Sequence, residues 1–356
     1  MCESTFQINV MRAESGDCIH LRFQSDMQWY NVVIDSGPCG NDYNFRTMIQ
    51  SIAQKHEHVD LLCFSHVDDD HVNAARDYFS TPAKYAGLDL PKLIKCIWMN
   101  IPKAEVNAPE KKPNDNHQTS VGSATLLLDS IKALGISHEI AVLKGHEPLQ
   151  LGQVKIEVVG PTQERLNEYE KWWEEKKKED SNIATAPRPD DSETNGSSII
   201  LLVTAGDKKM LFCGDAFACD LEEIADEVLA PKQTEGESAE KTEEETADEE
   251  KTGFFLVKLP HHGSGRNITE SMLEKMRCHQ FVISTKATKY RPSAYALNLL
   301  REYGIKHKSK ITLYGNYDWV TTRIKENDEG IQRVLLKDKA VPMASQEVTI
   351  RAGRYT

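Results

Sequence analysis

The sequence predicts an α/β protein in which two β-sheets pack face to face and helices cover their outer sides. Two observations favour this class. Short apolar segments of strand length alternate with longer amphipathic segments, and strands followed by strand-helix alternation occur twice along the 356-residue chain. A hydrophobic content of 39% is enough for a substantial core. The length allows one large domain or two ordinary ones.

The first half opens with a predicted meander of strands and continues with alternating helices and strands. The predicted strands are Gln7 to Arg12, Cys18 to Phe23, Tyr30 to Ile34, Leu61 to Phe64, Ile94 to Trp98 and Lys155 to Val159. The predicted helices run from Tyr43 to Gln54, from about Val72 onward, and from Ser120 to Leu134.

The second half repeats this pattern and carries two predicted insertions. Residues 163–194 form a charged, helix-like stretch followed by a polar loop, and we interpret them as a surface insertion. Residues 231–252 contain nine acidic and three basic residues, which predicts a disordered insertion and leaves open a protein-binding role. Predicted strands are Ser198 to Thr204, Lys209 to Cys213, Phe254 to Leu259, Gln280 to Ser284 and Lys310 to Tyr314, with helices at Ile268 to Met276 and Ala294 to Tyr303.

Composition restricts the cellular setting and the substrate. No apolar run approaches the roughly 18 residues of a membrane span, and the N-terminus lacks the pattern of a signal peptide. Eight cysteines without a CxxC pair favour reduced thiols, so we expect a cytoplasmic protein without a membrane partner. The net charge is -12, but Lys258 to Lys310 contains eleven basic residues and three glutamates, which favours an anionic substrate.

The densest group of chemically active side chains directly follows the apolar strand Leu61 to Phe64. His66, Asp68, Asp69, Asp70 and His71 place two imidazoles and three carboxylates within six residues. A packed fold can keep so many carboxylates together by exposing them to water or by binding a cation, and imidazole with carboxylate suits zinc, manganese or iron. A solvated acidic loop is the alternative, but a loop anchored by a strand favours a functional site.

Two further strands also end in potential metal ligands. Asp215 follows Gly214 at the end of one strand, where a plain turn is the alternative. His261 and His262 end another strand, and at least one of them is expected to bind metal.

Together these motifs resemble those of the metallo-β-lactamase superfamily. The matching residues are His66-x-Asp68-x-Asp70-His71, Gly214-Asp215 and His261-His262-Gly263-Ser264. Asp68 stands where most members carry a second histidine, and this HxDxDH pattern resembles the DNA-processing, ComEC-like branch. Further similarities to that branch are Gly16-Asp17, Asp35-Ser36-Gly37, Gly160-Pro161 and Asn195-Gly196-Ser197-Ser198.

The resemblance implies a single hydrolase domain over residues 1–356, built as a four-layer αββα sandwich. It also implies two divalent metal ions, zinc or manganese, at one edge of the sheets. His66 and Asp68 would hold one ion, and Asp70, His71 and either His261 or His262 the other. Asp215 would bridge the two, and Asp69 would face away. Asn195 stands where many members have a histidine, so it is a possible ligand or supporting residue and one site is expected to be weak.

The mechanism implied by the resemblance is attack by a metal-activated hydroxide that Asp70 orients. Four residues are candidates for binding the negative oxygens of the substrate: Ser264, Arg266, Lys289 and Arg291. Our leading hypothesis is a phosphodiesterase or nuclease that cleaves DNA or RNA. Hydrolysis of a small phosphoester or another ester is one alternative, and a non-catalytic partner module that keeps the fold is another. The oligomeric state stays open.

Overall fold

The computed structural model describes residues 6–102, 120–178, 192–231, 253–288, 290–337, 341–343 and 348–352. Several predictions concern residues outside these ranges. The residues concerned are 232–252 of the predicted acidic insertion, 179–191 of the other predicted insertion, and the candidate substrate-binding residue Lys289.

Eight strands form the first sheet. They are β1 (Phe6–Val10), β2 (Ile19–Ser25), β3 (Gln28–Ile34), β4 (Leu61–Cys63), β5 (Ile97–Met99), β6 (His138–Ile140), β15 (Val341–Pro342) and β16 (Val348–Arg351). Their order across the sheet is β15-β16-β1-β2-β3-β4-β5-β6. The strands from β1 to β3 are antiparallel neighbours, whereas those from β3 to β6 are parallel. The carboxyl ends of β3 and β4 therefore lie at one edge.

Eight further strands form the second sheet. They are β7 (Leu149–Leu151), β8 (Val154–Gly160), β9 (Ile200–Ala205), β10 (Lys208–Phe212), β11 (Leu256–Lys258), β12 (Gln280–Ile283), β13 (Ile311–Gly315) and β14 (Ile331–Leu335). Their order is β14-β13-β12-β11-β10-β9-β8-β7. The strands from β10 to β14 are parallel, with Phe212 beside Lys258 and Lys258 beside Val282. The ends of β10, β11 and β12 are thus level with one another.

Ten described helices accompany the sheets. They are α1 (Asp42–Gln54), α2 (Asp69–Phe79), α3 (Leu90–Leu93), α4 (Ser120–Ala133), α5 (Gln163–Lys178), α6 (Glu193–Gly196), α7 (Ala218–Val228), α8 (Glu270–Met276), α9 (Ala294–Lys306) and α10 (Trp319–Arg323). Short 3-10 helices occur at Pro82–Lys84 and Pro260–Gly263.

The buried side chains divide into three cores, which establish the layers. Successive residues of a strand point to opposite faces, and Val32 and Val33 of β3 do so. Val33 packs in an outer core with residues of α1, α2 and α4, while Val32 packs in a central core with Phe212 of the second sheet. A third core joins the outer face of the second sheet to α7, α8 and α9. The predicted four-layer αββα sandwich is therefore confirmed.

Helix α5 lies in the predicted surface insertion at 163–194, which stays a prediction, and one face of the helix is packed. Leu166, Tyr169 and Trp173 are buried and belong to the outer core of the first sheet. The helix has many charged residues, so its mean hydropathy is low, yet these three side chains share one face and that face packs on the protein. This segment is part of the packed fold.

Two findings concern the membrane and the cysteines, within the described residues. No helix there is long and apolar enough to cross a membrane. All seven cysteines described there are free thiols, and Cys63 and Cys213 are buried as expected for structural thiols.

Candidate metal centre

The predicted metal ligands come from both sheets and meet at the edge where parallel strands end. His66 follows β4, and Asp70 and His71 lie in the first turn of α2. Asp215 follows β10, and the two adjacent histidines, His261 and His262, follow β11. The backbone N–H of Ile199 donates to the Ser65 carbonyl oxygen at 2.7 Å, which ties the two sheets together beside this site.

Gly214 allows this close approach of the sheets. Its φ of +53° is unfavourable for residues with a β-carbon, and a β-carbon there would lie 2.9 Å from Ser65 Cβ. A side chain at this position would therefore strain the backbone and force it or Ser65 to shift. The sequence feature Gly-Asp at a strand end is therefore required by the geometry.

Asp215 lies at the centre of the site, and each of its carboxylate oxygens faces two imidazoles. Oδ2 lies 3.9 Å from His66 Nε2 and 3.5 Å from His261 Nε2. Oδ1 lies 3.5 Å from His71 Nε2 and 3.8 Å from His262 Nε2. The side chain of Asp215 is only 3% exposed. One buried carboxylate is thus shared by two groups of ligands.

Asp68 and Asp70 complete the two groups on their open side. Asp68 Oδ2 lies 3.7 Å from His66 Nε2, and Asp70 Oδ2 lies 3.4 Å from His262 Nε2. Their side chains are 29% and 28% exposed, whereas those of the four histidines are at most 8% exposed. Solvent or a substrate would therefore reach the site past these two aspartates. The carboxylate of Asp69 does not face the other ligands and instead accepts a hydrogen bond from Ser123 Oγ at 2.7 Å.

Hydrogen bonds behind the rings determine which nitrogen faces the site. His71 Nδ1 lies 2.8 Å from Asp35 Oδ2, and His262 Nδ1 lies 2.9 Å from the Ser284 carbonyl oxygen. Both partners only accept, so each Nδ1 carries the proton. Ser65 Oγ donates to Asp35 Oδ2 at 2.7 Å and can accept from His66 Nδ1 at 3.1 Å. In all three rings Nε2 is therefore the nitrogen that faces Asp215, and it offers its lone pair to a metal once any proton there is displaced.

These inward-facing atoms have no hydrogen-bond partner within the part of the chain that is described. They are the Nε2 atoms of His66, His71 and His262 and Oδ1 of Asp215, all buried. Buried polar atoms are normally satisfied, because leaving one unpaired costs free energy. A divalent cation accepts lone pairs from imidazole and carboxylate together, so the donor set fits a metal ion.

The electrostatics of the site support the same conclusion. Burial lowers the pKa of His262, but the nearby carboxylates of Asp215 and Asp17 raise it to about 9 overall. The pKa of His71 is likewise raised well above its usual value, because Asp215, Asp35 and Asp70 outweigh burial. Burial raises the pKa of Asp215, but the imidazoles of His261, His262 and His71 hold it well below its ordinary range. Positive charge between these groups is therefore favoured, whether from protons or from a metal.

Metal binding should consequently release protons. In the metal-free protein at neutral pH, His71 and His262 carry protons that a metal must displace, so apparent metal affinity should increase as pH rises toward about 9. Calorimetric titration with Zn²⁺ at neutral pH, in buffers of different ionisation enthalpy, measures the released protons. Proton-independent binding would contradict this prediction.

Lys258 and Asp17 form a buried ion pair beneath the ligands. Lys258 Nζ contacts Asp17 Oδ2 and donates to the Gly214 carbonyl oxygen at 3.0 Å, and both side chains are at most 2% exposed. Asp17, His71, Asp215 and His262 each offer an atom within 4.8 Å of the others. However, Asp17 Oδ1 faces His262 Nδ1 at 3.5 Å, on the side of the ring away from Asp215. Asp17 therefore supports the ligands from behind.

The candidates outside the ligand set lie around the His261-His262 turn. Asn195 is buried, and its Nδ2 lies 3.5 Å from His261 Nδ1. Ser264 is largely buried and its backbone N–H donates to the His261 carbonyl oxygen at 2.9 Å, whereas Arg266 is exposed. Half-exposed Arg291 precedes Pro292, which packs against Gly263. These residues are therefore near the site, and their contact with a substrate stays a prediction.

The basic excess between Lys258 and Lys310 is smaller in space than along the sequence. Several of its cations form ion pairs with acids elsewhere in the chain: Lys258 with Asp17, Lys275 with Asp226, Lys286 with Glu14 and Arg301 with Asp328. Lys306 pairs with Glu270 and Glu274 inside the segment. The net charge of this segment therefore overstates the positive electrostatic potential near the site. Some of its cations are paired with acids that are distant in sequence.

Five residues support the ligands without having been predicted to do so from the sequence. Asp35, Ser65 and Asn267 orient the ligand rings, and Lys258 with Asp17 supports them. Two patterns could have indicated three of them: an acid directly after a strand or turn, at Asp35 and Asp17, and a lysine inside the apolar run Phe254 to Leu259.

Comparisons with known proteins found similarity only among solved structures. No protein-family model and no curated protein sequence matches the chain. A diphosphatase of the PhnP family is 12% identical with a TM-score of 0.38, covering 93% of this chain and 95% of its own. The metallo-β-lactamase fold protein YhfI from Bacillus subtilis is 9% identical with a TM-score of 0.40, covering 87% and 95%. At identities this low, the activity of a matched protein is not carried over to this chain.

Proposed function

We propose that this protein is a metal-dependent hydrolase of phosphodiesters, with nucleic acid as its substrate class. The observation that carries the proposal is the convergence of buried imidazole Nε2 atoms on the two oxygens of Asp215. A shared carboxylate between two groups of nitrogen and oxygen ligands suits a pair of divalent cations.

Each group of ligands would hold one cation. His66, Asp68 and Asp215 Oδ2 would hold the first, and Asp70, His71, His262 and Asp215 Oδ1 the second. Such a pair supplies hydroxide at neutral pH and neutralises charge on the attacking and leaving oxygens of a phosphodiester. The carboxylate oxygens contributed by Asp68 and Asp70 make manganese a competitor of zinc.

The chain's own residues would bind and orient the reactants. Asp70 lies on the open side, where its carboxylate can accept a hydrogen bond from the attacking water. Arg291 and Ser264 lie beside the turn that carries the histidines, and a guanidinium can pair with two phosphate oxygens at once. Supporting contacts from Asp35 and Ser284 keep the imidazoles in the required orientation while substrate binds.

The direct test is hydrolysis of single-stranded DNA, double-stranded DNA, RNA and bis-p-nitrophenyl phosphate with added Mn²⁺ or Zn²⁺. Asp70→Ala should lower the rate by about 10²-fold or more, because it removes a ligand and the group that orients water. Asp69→Asn is the matched control, since this neighbouring carboxylate faces Ser123 and its loss should leave the rate nearly unchanged.

The substrate panel separates the possible activities. Cleavage of a polymer that Asp70→Ala abolishes, and that weakens steeply with added salt, would support a nuclease. Cleavage of the small diester alone would favour a compact phosphoester as substrate. Protein that contains metal and cleaves none of the four would contradict phosphodiester hydrolysis.

A further inference from the structure

We propose that His261 is a ligand of the first cation and supplies the imidazole that Asn195 cannot. The two consecutive histidines, His261 and His262, then bind two different cations. This inference rests on the proposed pair of cations and adds a ligand to the first. Without His261 the first group would have one imidazole, His66, whereas the second has two.

The backbone at the histidine pair is arranged to send both side chains to Asp215. His261 and His262 have φ angles of 49° and 55°, in the left-handed region that residues with a β-carbon rarely adopt. In an extended strand, successive side chains would point to opposite faces. Here the two rings lie 6.1 Å apart at 71° to each other, and both Nε2 atoms face the same carboxylate. Such strained conformations are concentrated at functional sites.

Asn267 determines which nitrogen of His261 carries the proton. Its side-chain Nδ2 donates to the carbonyl oxygens of Asp215 and Ala216 at 3.2 and 3.1 Å, so the orientation of the amide is determined. The opposite atom, Oδ1, lies 3.1 Å from His261 Nδ1 and must accept from it. Nε2 of His261 is therefore the nitrogen available to a metal, as in the other three rings.

Asn195 occupies the space behind the His261 ring. Its Nδ2 lies 3.5 Å from His261 Nδ1, farther than the Asn267 oxygen at 3.1 Å, so the proton of Nδ1 is donated to Asn267. The ring of His261 lies between Asn195 and Asp215, with Nε2 only 3.5 Å from Asp215 Oδ2. A histidine at position 195 would compete with His261 for this space. The small side chain of Asn195 therefore leaves the space that the ring of His261 occupies.

The deciding variant is His261→Gly, because glycine favours the left-handed backbone at this position and should keep the fold. Titration of metal-free protein with Co²⁺, followed by visible absorption, should find two cations in the wild type and a loss of about 100-fold or more in affinity at one site of the variant. Added imidazole should restore that site, which a purely structural role would not allow. His307→Gly, far from the site beside Glu274, is the matched control and should bind two cations.

Pairs of substitutions identify which cation is lost. The variant His66→Ala/His261→Gly should still bind one cation, because both changes affect the first site. The variant His261→Gly/His262→Ala should bind neither cation tightly, because one change affects the first site and the other affects the second. Two unaltered sites in His261→Gly would overturn the inference, as would loss of both cations in the first pair.

Failure of this inference is distinguishable from failure of the proposed function. A wild-type protein that binds two Co²⁺ ions but hydrolyses no phosphodiester would contradict the function alone. Wild-type hydrolysis with two unaltered sites in His261→Gly would contradict the ligand assignment alone.

Discussion

Replacing Asp215 with asparagine is expected to lower the hydrolysis rate by about 10³-fold or more and to prevent tight binding at both cation positions. Each oxygen of Asp215 faces two imidazole Nε2 atoms, so this carboxylate belongs to both groups of ligands. Asparagine keeps the volume but removes the negative charge and turns one of the two oxygens into an N–H donor. Metal content by elemental analysis, together with the rate of bis-p-nitrophenyl phosphate hydrolysis, measures both effects.

A buried aspartate elsewhere in the fold provides the control. Asp60 accepts from the Asn31 backbone N–H and pairs with Lys95, away from the ligands, so Asp60→Asn should keep two cations and a rate near that of the wild type. If Asp215→Asn also kept both cations, the bridging role of Asp215 would be wrong. Circular dichroism of both variants verifies that the fold persists.

The second large effect is expected on stability, at Lys258. Substitution by methionine should lower the free energy of unfolding by about 3–5 kcal/mol, because it leaves the carboxylate of Asp17 buried without its partner. Lys258 and Asp17 are 1% and 2% exposed, so water cannot compensate. Urea denaturation in the presence of a chelator measures this loss without a contribution from bound metal.

Two further variants determine whether the ion pair is the cause. Lys258→Met/Asp17→Asn should recover much of the lost stability, since the unpaired charge is removed as well. Lys144→Met breaks an ion pair with Glu227 whose side chains are 38% and 55% exposed, and it should change stability little. A double variant as unstable as Lys258→Met would show that packing around the lysine, and not charge, is responsible.

The strands that carry the site could be predicted because their sequence pattern is local. Each of three strands contains apolar residues and is followed within three residues by a His, Gly-Asp or Pro-His-His motif. These strands are Leu61–Cys63, Lys208–Phe212 and Leu256–Lys258, and all three were predicted with boundaries within a few residues. Helix α2 begins at Asp69, three residues before the predicted Val72. Its first turn contains two acids, which stabilise a helix N-terminus, and the metal motif obscured this pattern.

Other strands could not be predicted because their stability depends on distant partners. The last strand, Val348–Arg351, adds to the sheet in parallel beside Phe6–Val10, at the opposite end of the chain. The three-residue strands His138–Ile140 and Leu149–Leu151 are too short for a periodic pattern. The buried face of helix α5 was not predicted, because its many charges hide the three side chains that it buries.

The sequence by itself predicted two packed sheets covered by helices and a set of residues that could bind metal, because strand periodicity and ligand motifs are properties of neighbouring residues. The four-layer αββα order followed from the resemblance that those motifs carry. Only the tertiary structure decided that the two adjacent histidines face different oxygens of Asp215. His66 and His261 are far apart in sequence, yet both lie within 4 Å of Asp215 Oδ2, while His262 faces the other oxygen. The structure also decided the charge near the site, because Lys258 is neutralised by Asp17 from the first loop. Such pairings depend on how two sheets meet at one edge, which no local pattern encodes.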